Sequence, residues 1–212
     1  MNKKKYKCAI SDTDILIDLF KSDALNLLQV LFEKVYITEF IYEKELKKVA
    51  NRLRIDFAKL DQIITDPDGI FEIIYDDQLD IPTKKIKKVI FKKRKIFVGP
   101  GEADCAAYSH ASGINFVVSN NHNEFEFLDD ICIPLSYTHL LTICCLHKKI
   151  TFNDAKNIYN KVNSKKERPS SQSFKKKFDK SKQYIKENNY TEKLNLGNCE
   201  IWENVYWRYE IE

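Results

Sequence analysis

Two carboxylates, Asp12 and Asp14, stand in the tetrapeptide Ser11-Asp12-Thr13-Asp14, after the apolar run Cys8-Ala9-Ile10 and before Ile15-Leu16-Ile17. The short apolar run reads as a first strand, so the acids fall at its carboxyl end. Like charges placed there repel each other, and partial burial raises the cost. A hard cation such as Mg²⁺, held by carboxylate oxygens, offsets it. The space outside the carboxyl ends of the strands is also where open α/β sheets bind ligands. The same residues suit a plain helix start, with Asp12 or Thr13 as the N-cap.

Three further clusters have the right chemistry. Glu43 and Glu45 follow a second β-like run, Val35-Tyr36-Ile37-Thr38. Glu102 and Asp104 open a helix after Gly99-Pro100-Gly101, and Ser119-Asn120-Asn121 follow the apolar stretch Asn115 to Val118. In a parallel sheet these places share one rim. Asp12, one of Glu43 and Glu45, one of Glu102 and Asp104, and Asn121 would then form an oxygen cage suited to Mg²⁺ or Mn²⁺. Each also has an ordinary role. Glu43 and Lys47 form an i,i+4 pair. Glu102 and Asp104 favour the positive end of a helix dipole, and Asn120 and Asn121 tolerate turn geometry.

The elements that must position these groups alternate. Strands are expected near residues 8, 35, 116 and 132, with helical rhythm between them and a longer helical insertion between the second and third. Ile70 to Tyr75 is a further extended candidate after the turn Asp66-Pro67-Asp68-Gly69. Alternation without hairpin signals argues for an α/β fold with a mainly parallel central sheet flanked by helices. From about Ser164 the composition shifts to a linker-like stretch, then a basic helix with Phe174, Phe178 and Tyr184, then the aromatic run Ile201 to Ile211. The expected division is 1–163 and a C-terminal extension, 164–212.

Composition narrows the class. Of 212 residues, 43% are hydrophobic and 31% charged, enough apolar material for a core. No apolar run approaches the ~20 residues of a membrane span, and Asp12 interrupts the stretch that a secretory signal would need. Six cysteines without metal-knuckle spacing read as reduced thiols in a cytoplasmic protein. The net charge is only +4, but the basic residues are segregated. Lys84, Lys85, Lys87, Lys88, Lys92, Lys93, Arg94 and Lys95 form one run, and a second spans Lys165 to Lys186. Such segregation suits a polyanion, although lysine runs also form plain solvated helix faces.

Several stretches resemble one family in order. Ile10-Ser11-Asp12-Thr13-Asp14-Ile15-Leu16-Ile17 is similar to the opening signature of PIN-domain nucleases, and Tyr36 to Leu46 resembles their strand-then-acidic-helix block. Gly99 to Ala107 is similar to the Gly-Glu-Ala-acid block of one subgroup, and Phe116 to Phe125 resembles the fourth block. The resemblance spans about residues 7 to 162. It implies a three-layer PIN-like fold and an Mg²⁺- or Mn²⁺-dependent ribonuclease, akin to VapC-type toxins of toxin–antitoxin pairs or to a phage-defence nuclease.

Carried over by block, the resemblance makes Asp12, Glu45, Asp104 and Asn121 the catalytic set, with Asp12 and Asp104 as direct metal ligands. Glu43 stands nearly as well as Glu45, and Glu102 is a further candidate ligand. Thr13, Asp14, Ser119 and Asn120 would support the ligands or orient water and phosphate. Asn121 departs from the family, where Asp is common; Asp14, in place of the usual Asn, offers a compensating charge. The implied partners are single-stranded or looped RNA, a cognate antitoxin and a second copy of the chain, with no membrane. Loss of hydrolysis, leaving an RNA-binding module, and a protein-interaction domain built on the aromatic C-terminus are the rival readings.

Overall fold

The computed structural model describes residues 5–197. The aromatic run Ile201 to Ile211 lies outside the described residues. Five strands form one sheet: β1 (Tyr6–Ser11), β2 (Phe32–Thr38), β3 (Phe71–Ile74), β4 (Phe116–Val118) and β5 (Ile133–Leu135). Their order is β3-β2-β1-β4-β5, and every described pairing is parallel. Parallel strands need crossovers and covered faces, and the alternation of apolar runs with helices supplies both. The extended candidate near residue 70, absent from the four-strand register, is the edge strand β3, pairing Val35 with Phe71 and Thr38 with Ile74.

The order dictates where a site can lie. The chain builds outward from β1 through β2 to β3, then crosses back to place β4 and β5 on the other side of β1. The crevice between β1 and β4 is therefore a topological switch point, where ligands bind in open α/β sheets. Three helical segments frame it. Helix α1 (Thr13–Lys21) leaves the end of β1, and a π-helical segment, Phe40–Leu46, follows β2. After α2 (Asn26–Leu31), α3 (Lys47–Arg52), α4 (Phe57–Ile64) and α5 (Ile81–Arg94), the third, α6 (Pro100–Ser112), packs on β1, β2 and β4. Helix α6 ends on Gly113, whose φ of 65° is the left-handed cap that glycine adopts without strain.

Beyond β5 the chain runs through α7 (Tyr137–Leu146), α8 (Phe152–Lys165) and α9 (Phe174–Glu187). Every residue of α7 is buried, and α9 packs against it. Phe174, Phe178, Ile185, Tyr190 and Leu194 belong to the same apolar cluster as the strands, so the core continues across residue 163. No helix among the described residues is long and apolar enough to cross a membrane.

Candidate functional site

Asp12 directly follows β1, with its backbone N–H bonded to the Val118 carbonyl at 2.9 Å. It is the N-cap of α1 by position, but its side chain makes no capping hydrogen bond. The carboxylate is instead 2% exposed and accepts from the Ser119 hydroxyl at 3.2 Å. Ser119, just past β4, also accepts the Asn121 N–H at 3.2 Å, and the Asn121 amide donates to Glu102 at 3.3 Å. One chain of hydrogen bonds thus runs Asp12–Ser119–Asn121–Glu102 across the mouth of the β1/β4 crevice.

Glu45 enters from the π-helical segment. Its carboxylate accepts from the Thr13 hydroxyl at 3.0 Å and from the Gly101 N–H. A Cβ on Gly101 would lie 2.5 Å from Glu45 Oε2, and one on Gly99 would lie 2.6 Å from Glu102 Oε2. The Gly-Pro-Gly segment is therefore more than a chain breaker: each glycine leaves the space that one carboxylate occupies. Glu124 closes this end, its carboxylate accepting the Gly99 N–H at 3.0 Å. Neither the two glycine seats nor Glu124 follows from acid spacing. The available signal is Gly-x-Gly immediately before an acid at a helix start.

The acids raise one another. Burial pushes Asp12 well above the usual carboxylate range, and Glu102, Asp14 and Glu45 push it further. Glu45 is raised by burial and by Asp14 and Asp104, against the Thr13 and Gly101 bonds that lower it. Glu102 is raised by burial and by Glu124. Among the described residues, none of Asp12, Glu45 and Glu102 has a basic ion-pair partner.

Two other candidate acids stand apart. Glu43 pairs with Lys47 at 2.8 Å on the surface. Asp104 is 5% exposed and bonded at 2.9 Å to the ammonium of Lys87, which also reaches Asp76 at 2.5 Å. Asp14 is exposed at its surface, yet partial burial and Asp18 hold its carboxyl above the ordinary range, against Lys166 and Arg52. Asn120 faces away from the acids, donating to Asp18 at 2.8 Å and accepting the Tyr137 N–H at 3.2 Å. Asp18 in turn pairs with Lys166 at 3.0 Å, which brings the second basic stretch to this rim. On α5, Lys85, Lys88, Lys92 and Lys93 are exposed, as is Lys95 at its C-cap, and Lys84 is exposed with its ammonium on the Asp77 carbonyl. Lys87 and Arg94 turn inward, Arg94 holding the Phe127 carbonyl at 2.7 Å and Asp130 at 2.5 Å. Inward positions 87, 90, 91 and 94 follow helical spacing.

Donor chemistry tests the fit of a divalent ion. Uncompensated carboxylates of raised pKa, together with an amide and a hydroxyl, are hard oxygen donors that match Mg²⁺ or Mn²⁺. By donor type the match is best at Asp12, on which Glu102 is the strongest neighbouring charge and Glu45 a weaker one. Asp104 differs from these in being balanced by Lys87. Among the described residues no three His, Cys, Asp or Glu side chains are grouped so as to hold an ion. Mg²⁺ commonly binds through one or two carboxylates and keeps its waters, so a pair of carboxylates is enough.

The elevated acids predict a pH dependence. Without divalent ions, folded Asp12 keeps its proton to higher pH than unfolded Asp12. Above about pH 4, the ordinary carboxylate value, the native state then binds more protons, and stability falls as pH rises. Wild-type stability relative to Asp12→Asn is expected to fall between pH 5 and pH 8 in urea titrations with EDTA; a flat difference would contradict an elevated Asp12.

No protein-family model matches the chain, and no curated protein matches it. Among solved structures, VapBC2 from Rickettsia felis, bound to a DNA fragment from their promoter, aligns with 61% of this chain and 98% of its own, at 14% identity and a TM-score of 0.41. Likeness at that level assigns no residue and no activity to this chain.

Proposed function

We propose that this protein is a metal-dependent endoribonuclease whose active centre is the Asp12–Glu45–Glu102 cluster. One observation carries the reading: at the switch point of a parallel sheet, Asp12 and Glu102 are joined through Ser119 and Asn121, Glu45 is held by Thr13 next to Asp12, and none of the three has a basic partner among the described residues. Asp12 and Glu102 would hold Mg²⁺ or Mn²⁺. A bound ion supplies Lewis acidity toward the scissile phosphate and lowers the pKa of water. Glu45, fixed by Thr13 and Gly101, stands beside that pair as the acceptor for a water proton. Ser119 and Asn121 keep Asp12 and Glu102 aimed into one crevice.

The surroundings suit a polyanion. Lys166 approaches the rim through Asp18 and Asn120, and the exposed lysines of α5 add a second positive surface. Lysines grip a nucleic-acid backbone by releasing its counterions, and looped or single-stranded RNA can present its backbone to such a surface. The same reading makes the chain the toxin of a toxin–antitoxin pair, or a phage-defence nuclease, with a protein antitoxin as partner.

The test is cleavage of end-labelled RNA in Mn²⁺, by wild type, Glu102→Gln and Glu45→Gln. Products are expected from wild type only, and none in EDTA. Equal cleavage by all three proteins, or cleavage indifferent to EDTA, would overturn the assignment. A second reading, an RNA-binding module without hydrolysis, is favoured by the Lys87 lock on Asp104 and by Asn121 in an acid's place. It predicts RNA retention on filters in EDTA and no product under any condition.

A further inference from the structure

A buried ion pair sits beside the acid cluster. Lys87, on the inward face of α5, is 6% exposed, an unusual place for a lysine. Its ammonium lies 2.9 Å from Asp104 Oδ1 and 2.5 Å from Asp76 Oδ1. The other Asp104 oxygen, Oδ2, is buried without a hydrogen-bond partner. The carboxylate is close enough to the centre to act on Glu45. So Asp104 has the position of a site acid, one free lone-pair face, and a cation already bound.

We propose that the Lys87 ammonium takes the place of a second metal ion at Asp104, so that the centre holds one divalent ion rather than two. The inference rests on the nuclease reading above only for the first ion.

Charge and geometry support it together. Asp76 and Asp104 carry two negative charges around one ammonium, as two carboxylates would around a cation. The ammonium lies against two carboxylates at once, one of them buried with it. A divalent ion at Asp104 would meet that fixed positive charge 2.9 Å from the same carboxylate. Removing the ammonium leaves two acids and an orphaned oxygen with nothing to balance them, the condition under which a hard cation binds. Asp76 is half exposed, so the vacated position opens toward water. Asp76, Lys87 and Asp104 all line one groove of about 690 Å³, together with Glu39 and Asp77.

The experiment counts manganese ions on the full chain, by electron paramagnetic resonance of free Mn²⁺ during titration with manganese(II) chloride at neutral pH. Wild type is expected to bind one ion, Lys87→Met two, and Asp104→Asn one with Kd within about two-fold of wild type. Two ions on wild type, a count of one on folded Lys87→Met, or a weakening of ten-fold or more in Asp104→Asn would each overturn the proposal. If Lys87→Met does not fold, Lys87→Gln, which keeps a hydrogen-bond donor without the charge, is counted in its place, with two ions expected and one overturning the proposal. No ion on wild type would sink the metal-dependent reading itself, and this inference with it, whereas one ion on both wild type and Lys87→Met sinks only the lysine substitution.

Discussion

Asp12→Asn is expected to lower Mn²⁺-dependent RNA cleavage by about 100-fold or more while leaving the metal-free protein as stable as wild type, or more stable, at pH 8. The two halves follow from one carboxylate. Asp12 is buried, receives a single side-chain hydrogen bond from Ser119, and is surrounded by the charges of Glu102, Asp14 and Glu45. Holding it ionised costs the fold about 1.4 kcal/mol for each unit by which its pKa is raised. Asn is nearly isosteric, accepts the Ser119 bond through its amide oxygen, and removes the charge. The loss in function comes from the same change. Residues one step out from a metal typically contribute 10- to 100-fold to affinity or activity, and a carboxylate that touches the ion contributes at least as much. A helix-capping role predicts a different pattern. Asn and Asp cap about equally well, so a pure cap would leave both cleavage and stability unchanged. Rates of cleavage and urea midpoints for the pair of proteins, measured at pH 8, separate these outcomes. Wild-type activity in the variant would remove Asp12 from the site.

The alternation of strands and helices was legible because apolar runs of three to six residues stand between stretches with helical rhythm. The edge strand Phe71–Ile74 is the element whose pairing stayed hidden. It is four residues long, with Phe71 and Ile74 buried and Glu72 exposed between them, and only its partner β2 decides that it joins the sheet. The acids show a sharper limit. Choosing between Glu43 and Glu45 by α-helical counting fails because Phe40–Leu46 is π-helical, which changes the angle between successive side chains. Glu45 faces the crevice and Glu43 faces Lys47. Asp104 illustrates the opposite problem. Its place in the motif is as expected, yet its partner is a lysine in a run that reads as a solvated basic surface. The one local sign is that Lys87, Ile90, Phe91 and Arg94 share a helical stripe, and a stripe of mixed charge and apolarity does not say which members turn inward.

Phe178→Ala is expected to destabilise the fold by about 3–5 kcal/mol, as for other fully buried aromatic truncations. Phe178 is 0% exposed, with the rings of Phe152 and Phe174 at 5.4 Å and 5.8 Å. The cost is large because α9 covers an element with no solvent face. All ten residues of α7 are buried, and a helix buried all round needs neighbours on every side. Helix α9 supplies one of them. Polar anchors then fix its end: Tyr184 and Tyr190 donate to Asp129 at 2.9 Å and 2.8 Å, and Tyr6 on the first strand donates to the Leu194 carbonyl at 2.7 Å. A loss of 3–5 kcal/mol is a large share of the roughly 5–15 kcal/mol that holds a domain together. Truncation after residue 163 removes all of these contacts at once, and the shortened chain is expected to show no cooperative urea transition. A transition at the wild-type midpoint in either protein would mean that α9 is an appendage. The contacts argue instead that deleting residues 164–212 to map a partner surface would unfold the acid cluster as well. Point variants on the outer face of α9 are therefore the sound way to ask what that basic helix binds.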